Sequence, residues 1–490
     1  MSDGIKVRVR MYRQGLGDCF LLRFTAGSGT THMLIDCGVL TGTPNGKEKV
    51  REIVEDIRTE TNRKLDVLVV SHEHWDHVSG FKDAKDLFDT IDVGHVWIAW
   101  TEDPDDAFAK TLKKERSLAL RVIQFAARTF ARNGALDEGE RLALEGEARG
   151  LNGVLSFLNV KGSDAMQFSE GTDEAMDYAS QKGPKTYCKP GGEPLTLPSL
   201  PGVRFYVLGP PRDEELLKTM DPSEDHPETY DLFSRLSAGR AFFAAAQKHS
   251  PGLGVYPDPE AERINSRYPV AEAERLAADG AAARQEYAST YFAEDEKWRR
   301  IDYDWLTAAS DLALQLDDAV NNTSLALAIE LVDSGRVLLF PGDAQVGNWV
   351  SWHKCTWTLV DEDGHSQSVN AKDLLERTIL YKVGHHGSHN ATLREKGLEM
   401  MTSRELVALL PVDEVQAHKP KGRDKDGWEM PAEALYERLV EKTRGRVLRL
   451  DRKWPKRTDS NAPAGLSQSE WASFRNATTV TDLYIDYELT

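Results

Sequence analysis

The stretch LDVLVVSHEHWDHVSG at 65–80 decides how the rest of the chain is read. LDVLVV is a short apolar run suited to a buried strand. It delivers the chain to a sheet end, where His72, His74, Asp76 and His77 follow within six residues. His72 and His74 are two apart in an extended segment and project to the same side, so both imidazoles can reach one metal ion. Asp76 and His77 come as the chain turns into an expected helix, HVSGFKDAKDLF, and can reach a second ion. Nitrogen and carboxylate donors at this density suit zinc, or manganese and iron where oxygen ligands predominate. A solvated His-rich loop is the bland alternative, and the preceding buried strand argues against it.

Working outward, IKVRVRMY (5–12) alternates apolar and basic residues, the period of a half-buried strand. CFLLRF (19–24) and HMLIDCG (32–38) read as a strand pair joined by TAGSGTT. KEKVREIVEDIRTE (47–60) sets Val50, Ile53, Val54 and Ile57 on one helical face, and VGHVWIAW (93–100) is the next strand. Strands return at 202–211, 323–331, 336–340, within TILYKVGHHGSHN at 378–390, and at 407–412, 446–451 and 481–489, with a helix at 431–443. The stretch after 340 reads as loop-rich. The intervals 101–200 and 212–320 read as mainly helical. Because GVRFYVLGPP stands between them, the expectation is one α/β domain over 1–490, two β-layers with two helical insertions. A separate helical domain over 101–320 is the alternative.

The balance of 61 basic and 79 acidic residues gives a net charge of −18, which opposes non-specific coating of nucleic acid or anionic membrane. RGRVLRLDRKWPKR (444–457) runs the other way, seven basic residues to one acidic with Trp454 available to stack on a base. KPKGRDK (419–425) adds positive charge. A strand with a solvated basic face explains both equally well. Cys19, Cys37, Cys188 and Cys355 form no CxxC pair, so reduced thiols and a cytoplasmic location are expected. MSDGIKVRVRMY has no apolar core of a signal peptide, and no run approaches the ~18 apolar residues of a membrane span.

HxHxDH after an apolar strand resembles the metallo-β-lactamase superfamily. That resemblance implies an αββα sandwich and two divalent metal ions, zinc first among them. It implies that Asp36 of LIDCG orients the metal loop and that Asp343 of RVLLFPGDAQ bridges the metals. It further implies a closing histidine ligand from LYKVGHHGSH. His385, first after the strand, is taken as that ligand, and His386 as the group that binds the substrate oxyanion or protonates the leaving group. Asp76 both holds a metal and orients the nucleophile, a hydroxide generated from bridging water. The superfamily commonly supplies one more histidine before the bridging aspartate. Here the interval holds His95, which reads as a strand residue, and His226 and His249, in polar inserted segments. Asn321 or Asn322 can stand nearby, although a helix or turn terminus explains them. Lys382 and Ser388 flank the site and can contact a phosphate, although a lysine is more often solvated.

A finer resemblance lies in GLGDCFLLRF (15–24), NNTSLALAIEL (321–331), LLFPGDA (338–344) and LYKVGHHGSHNAT (380–392). These are similar to motifs of the soluble hydrolase domain of ComEC-type DNA-uptake proteins, with phosphorylcholine esterases as neighbours. The likeness implies a phosphodiester substrate, DNA or RNA among them. Asp343 stands where some antibiotic-hydrolysing relatives carry cysteine, and His74 where oxygen-reducing diiron relatives carry glutamate. A lactone or thioester hydrolase is the competing enzyme class. A non-catalytic scaffold, dimerising through a helical insertion such as 106–133, is the non-enzymatic one.

Overall fold

The computed structural model describes residues 4–132, 170–217, 316–360, 364–419 and 427–489. The chain divides into two compact units. The first comprises Met1–Lys113, Asn152–Tyr230 and Asp317–Thr490, and the second comprises Lys114–Leu151 and Asp231–Leu316. Everything below concerns the first. Most of the intervals read as helical insertions, with His226 and His249, lies outside the described residues. So do the side chains of the helix Ala107–Arg132 beyond Leu120, on which the expected dimer contact fell.

The strands of the first unit are β1 (Lys6–Tyr12), β2 (Phe20–Ala26), β3 (Gly29–Ile35), β4 (Lys64–Val70), β5 (Asp92–Ala99), β6 (Lys185–Cys188), β7 (Leu195–Leu197), β8 (Leu200–Gly209), β9 (Ala326–Leu331), β10 (Arg336–Phe340), β11 (Thr356–Val360), β12 (Ser366–Asn370), β13 (Thr378–Lys382), β14 (Val407–Leu410), β15 (Val447–Arg449), β16 (Thr478–Val480) and β17 (Tyr484–Leu489). Eight form one mixed sheet, ordered β16-β17-β1-β2-β3-β4-β5-β6, and seven form a second, ordered β15-β14-β13-β10-β9-β8-β7. The pairs β3–β4 and β4–β5 are parallel in the first sheet, as β10–β13 and β13–β14 are in the second. In each sheet, therefore, the carboxyl ends of neighbouring strands open at one edge, where loops collect.

Alternation along the strands builds the layers. Val7, Val9 and Met11 of β1, Phe20, Leu22 and Phe24 of β2, and Val67 and Val69 of β4 pack against Phe205, Val207, Leu327, Ile329, Leu338 and Phe340 of the second sheet. The residues between them face outward. Leu21, Leu34, Leu68 and Val70 pack under Val50, Ile53, Val54 and Ile57 of α1 (Gly46–Glu60) and under Val78 and Phe81 of α2 (Trp75–Asp83). On the other side Tyr206, Ala328, Leu339, Tyr381 and Ala408 pack under Trp349, Trp352, Leu375 and Leu439. Helices thus cover both outer faces of two stacked sheets, the αββα sandwich expected from the sequence.

Several elements depart from the sequence reading. Two edge strands, β6 and β7, fall inside the 101–200 interval read as helical. The stretch after β10 read as loop-rich holds a helix at Val346–Trp352, the β11–β12 hairpin and a helix at Ala371–Glu376. The helix Gln468–Ala477 and β16 were not anticipated. Among the described residues no helix is long and apolar enough to cross a membrane.

Candidate metal centre

The site forms where the two sheets end. β3 stops at Ile35 and Asp36 takes φ +56, a conformation that costs a non-glycine residue energy and marks functional turns. That turn aims its carboxylate at the end of β4. Ser71 donates to it twice, from N to Oδ1 at 2.7 Å and from Oγ to Oδ2 at 2.6 Å, and His77 Nδ1 lies 2.8 Å from Oδ2. A carboxylate on one imidazole nitrogen fixes the tautomer and leaves the other nitrogen for the site. Two glycines allow the loops to close. A Cβ on Gly38 would lie 2.3 Å from the Asp76 carbonyl carbon, and one on Gly17 would lie 2.8 Å from the Asp76 carbonyl oxygen.

The second sheet supplies the opposite wall. Asp343 follows β10, with its N–H donating to Ser324 Oγ at 3.0 Å. Its Oδ1 accepts from the His385 N–H and from Lys382 Nζ, both at 3.0 Å. Lys382 also donates to the Gly342 carbonyl at 2.7 Å and pairs with Asp18. Beyond β13 the chain passes through two left-handed residues, His385 at φ +42 and His386 at φ +51. The turn separates the two rings. His386 Nδ1 lies 2.8 Å from the Pro411 carbonyl and its Nε2 lies 2.8 Å from Asp76 Oδ2. His385 points elsewhere, its Nδ1 3.4 Å from Gln345 Nε2.

One ligand atom from each of Asp76, His77, Asp343 and His386 falls within 4.8 Å of the others, and all four residues are buried. His77 Nε2 stands 3.1 Å from Asp343 Oδ2. Burial works against charge on His77, yet Asp343, Asp76, Asp18 and Asp36 hold its pKa well above the ordinary imidazole value. His386 is likewise raised against burial, by its hydrogen bond to Asp76 and by Asp343. Burial also disfavours the Asp343 carboxylate, but Lys382 and His77 hold it well below its usual range. So dense a set of buried carboxylates calls for positive charge at its centre. Asp76 Oδ1 makes no hydrogen bond among the described residues. Orphaned buried polar atoms are rare, and this one, with the imidazoles beside it, fits a nitrogen- and oxygen-ligated divalent cation.

A second pair of donors adjoins the first set. His72 Nδ1 lies 3.0 Å from Ser71 Oγ, and its Nε2 lies 3.1 Å from His74 Nδ1. Two nitrogens on one tetrahedral zinc stand about 3.3 Å apart given its usual bond length. Burial holds both rings neutral, with His72 well below the usual imidazole value and His74 at about 3. The far nitrogen of His74, Nε2, stands 3.5 Å from Asp317 Oδ1.

The structure brings Asp76, His77, Asp343 and His386 together, with His72 and His74 beside them. His386 joins Asp76, His77 and Asp343, where the sequence reading had put His385, and His385 stands beside Gln345. The swap follows from the left-handed turn, which sequence order does not reveal. Lys382 is no free phosphate contact: it is buried, and three protein oxygens take its ammonium. Ser388 Oγ donates to Asn390 Oδ1 at 3.1 Å. His95 is an exposed residue of β5. Asn322 is buried and caps the Gln345 N–H at 3.1 Å. Asp18 and Asp317 were missed. GLGDCF held the clue to Asp18, while nothing in the sequence singled out Asp317.

The basic stretch 444–457 is largely consumed by the protein itself. Arg449 is buried against Glu414 and Asp451, Arg444 pairs with Glu470 at 2.7 Å, and Trp454 stacks on Trp471 with ring centroids 5.6 Å apart. Of KPKGRDK, residues 420–426 lie outside the described set.

No curated protein matches the chain. Residues 12–153 match the metallo-beta-lactamase superfamily, a span that holds the Asp36 turn and the whole His72–His77 loop but ends before Asp343 and His386. This portion of the chain is similar to metallo-beta-lactamase superfamily domains, and the second sheet brings Asp343 and His386 to the same cluster.

Proposed function

We propose that the protein is a metal-dependent phosphodiesterase holding two divalent cations, zinc in the first instance, through His72, His74, Asp76, His77, Asp343 and His386. The observation that supports metal dependence is the buried Asp76–His77–Asp343–His386 set with its orphaned Asp76 Oδ1. Cations there lower the pKa of bound water and neutralise charge developing on a phosphoryl oxygen.

The chain's own residues do the rest. His386 donates through Nδ1 to the Pro411 carbonyl, which keeps Nε2 directed at Asp76. His77 is steered in the same way by Asp36. Asp76, a carboxylate on the same cluster, would also accept a hydrogen bond from an attacking water and so orient it. His385, with burial lowering its pKa to about 4, is neutral near pH 7 and is the group left to meet a substrate oxygen.

The phosphodiester class is supported by four motifs similar to those of ComEC-type hydrolase domains. They are spread over residues 15–392, yet Asp18, Ser324, Asp343, Lys382 and His386, drawn from all four, meet at one site. Aspartate at 343 and histidine at 74 point away from lactam cleavage and from diiron redox chemistry. The internal pairing of 444–457 favours a small phosphodiester, or a strand end, over a polynucleotide laid across that surface.

The test is hydrolysis by zinc- and manganese-loaded protein of bis(p-nitrophenyl) phosphate and of labelled DNA and RNA, beside Asp76→Ala. Turnover by wild type alone supports the proposal. Metal binding without phosphodiester turnover shifts the reading to a lactone or thioester. No turnover of any ester would leave the fold as a scaffold.

A further inference from the structure

Among the described residues no third histidine joins the donor pair His72 and His74, and a buried aspartate stands beside it. Asp317 is 8 % exposed and belongs to the helical turn at 316–321, just before β9. Its Oδ2 accepts from Asn321 Nδ2 at 3.4 Å. Its Oδ1 accepts no hydrogen bond of good geometry among the described residues and faces His74 Nε2 at 3.5 Å.

The arrangement has a direction. His74 Nδ1 faces His72 Nε2 at 3.1 Å, so the two nitrogens of one ring look opposite ways, toward the other imidazole and toward the carboxylate. An imidazole that carries its proton on Nε2 has its lone pair on Nδ1, and a carboxylate beside Nε2 selects that tautomer. The opposite tautomer would place N–H where a cation must bind. Burial, with Asp318, Asp76 and Asp343 nearby, pushes the Asp317 carboxyl well above its usual range while no cation is bound. An aspartate here is therefore costly, and is explained by what its oxygen does to His74 once a cation balances that charge.

We propose that Asp317 is the positioning residue of a first metal site at His72 and His74, holding the His74 ring with Nδ1 turned to the cation. The inference rests on the metal-dependent reading above. It adds that the chain stiffens one member of the pair through a residue 243 positions away from His74 in sequence.

Cobalt titration of the full chain tests this, with absorbance following each site and elemental analysis giving the stoichiometry. Wild type should take two equivalents. Asp317→Ala should keep the Asp76–His77–Asp343–His386 site unchanged and weaken the other about 10- to 100-fold, the usual effect of removing a carboxylate behind a metal-bound histidine. Asp317→Asn, whose amide oxygen still accepts from Nε2–H, should recover most of that loss. A far-ultraviolet dichroism spectrum like that of wild type shows that each variant is folded. Two equivalents bound by Asp317→Ala with unchanged affinities would overturn the role of Asp317 and leave the hydrolase reading intact. Loss of both sites in folded Asp317→Ala would also overturn it, because the second set would then depend on the residue. No cobalt bound by wild type would overturn the metal-dependent reading itself, and with it the inference.

Discussion

Lys382 Nζ lies 3.0 Å from Asp343 Oδ1 in a fully buried ion pair. Its other donors go to Asp18 and to the Gly342 carbonyl, so the ammonium holds one oxygen of Asp343 and leaves Oδ2 to His77 and His386. Removing it strands two buried carboxylates. Lys382→Met should therefore destabilise the protein by about 3–5 kcal/mol, the range for breaking a buried pair on one side, as read by urea denaturation of metal-free protein. A loss under about 1 kcal/mol would show that water reaches Asp18 and Asp343 once the ammonium has gone.

The two adjacent histidines should separate cleanly. His386→Ala should lower bound metal from two equivalents to one, since it removes a member of the buried set, whereas His385→Ala should retain two and lose turnover. Elemental analysis beside initial rates decides the matter. Metal loss in His385→Ala alone would restore the assignment that chain order first suggested.

The metal-free protein should be most stable near neutral pH. His77 and His386 are raised above the ordinary imidazole value, so their stabilisation is full below about pH 6.5 and is lost as pH rises through the raised values. His74 at about 3 and His385 at about 4 act in the opposite sense. For these, stability falls as pH drops from about 6.5 toward the folded values. Thermal midpoints between pH 5 and 9 should form a dome, and metal affinity should climb with pH as His77 and His386 lose protons. A midpoint flat across that range would contradict both assignments.

Arg449 should matter to stability and not to substrate. It is buried, with its guanidinium on Glu414 and Asp451. Arg449→Ala should lower the denaturation midpoint while leaving KM for any phosphodiester within about twofold, because its charge already has partners. A rise in KM with unchanged stability would return the 444–457 stretch to the binding surface.

The layers were readable because their periods are strong. Val50, Ile53, Val54 and Ile57 mark α1 without ambiguity, and alternation in β1 and β2 marks the inter-sheet face. The helix at 468–477 was signalled only by its capping box, Ser467 with Glu470, a pattern too short to stand out from polar loop. The His72–His77 loop announces itself by composition. What could not be read is which ring of a His-His pair turns inward, because that depends on two positive φ angles. Nor could Asp317 be read, because one aspartate in a polar interval looks like any other until a histidine is placed beside it.

Asp76 and His386 touch across 310 residues of chain. A ribosome has made the whole metal-binding loop long before it makes the residues that close the site. During that interval the nascent chain holds His72, His74, Asp76 and His77 but not Asp343 or His386. Any cation caught then is held by an open half-site exposed to exchange. The full set of donors thus exists only once both sheets have been made and have docked.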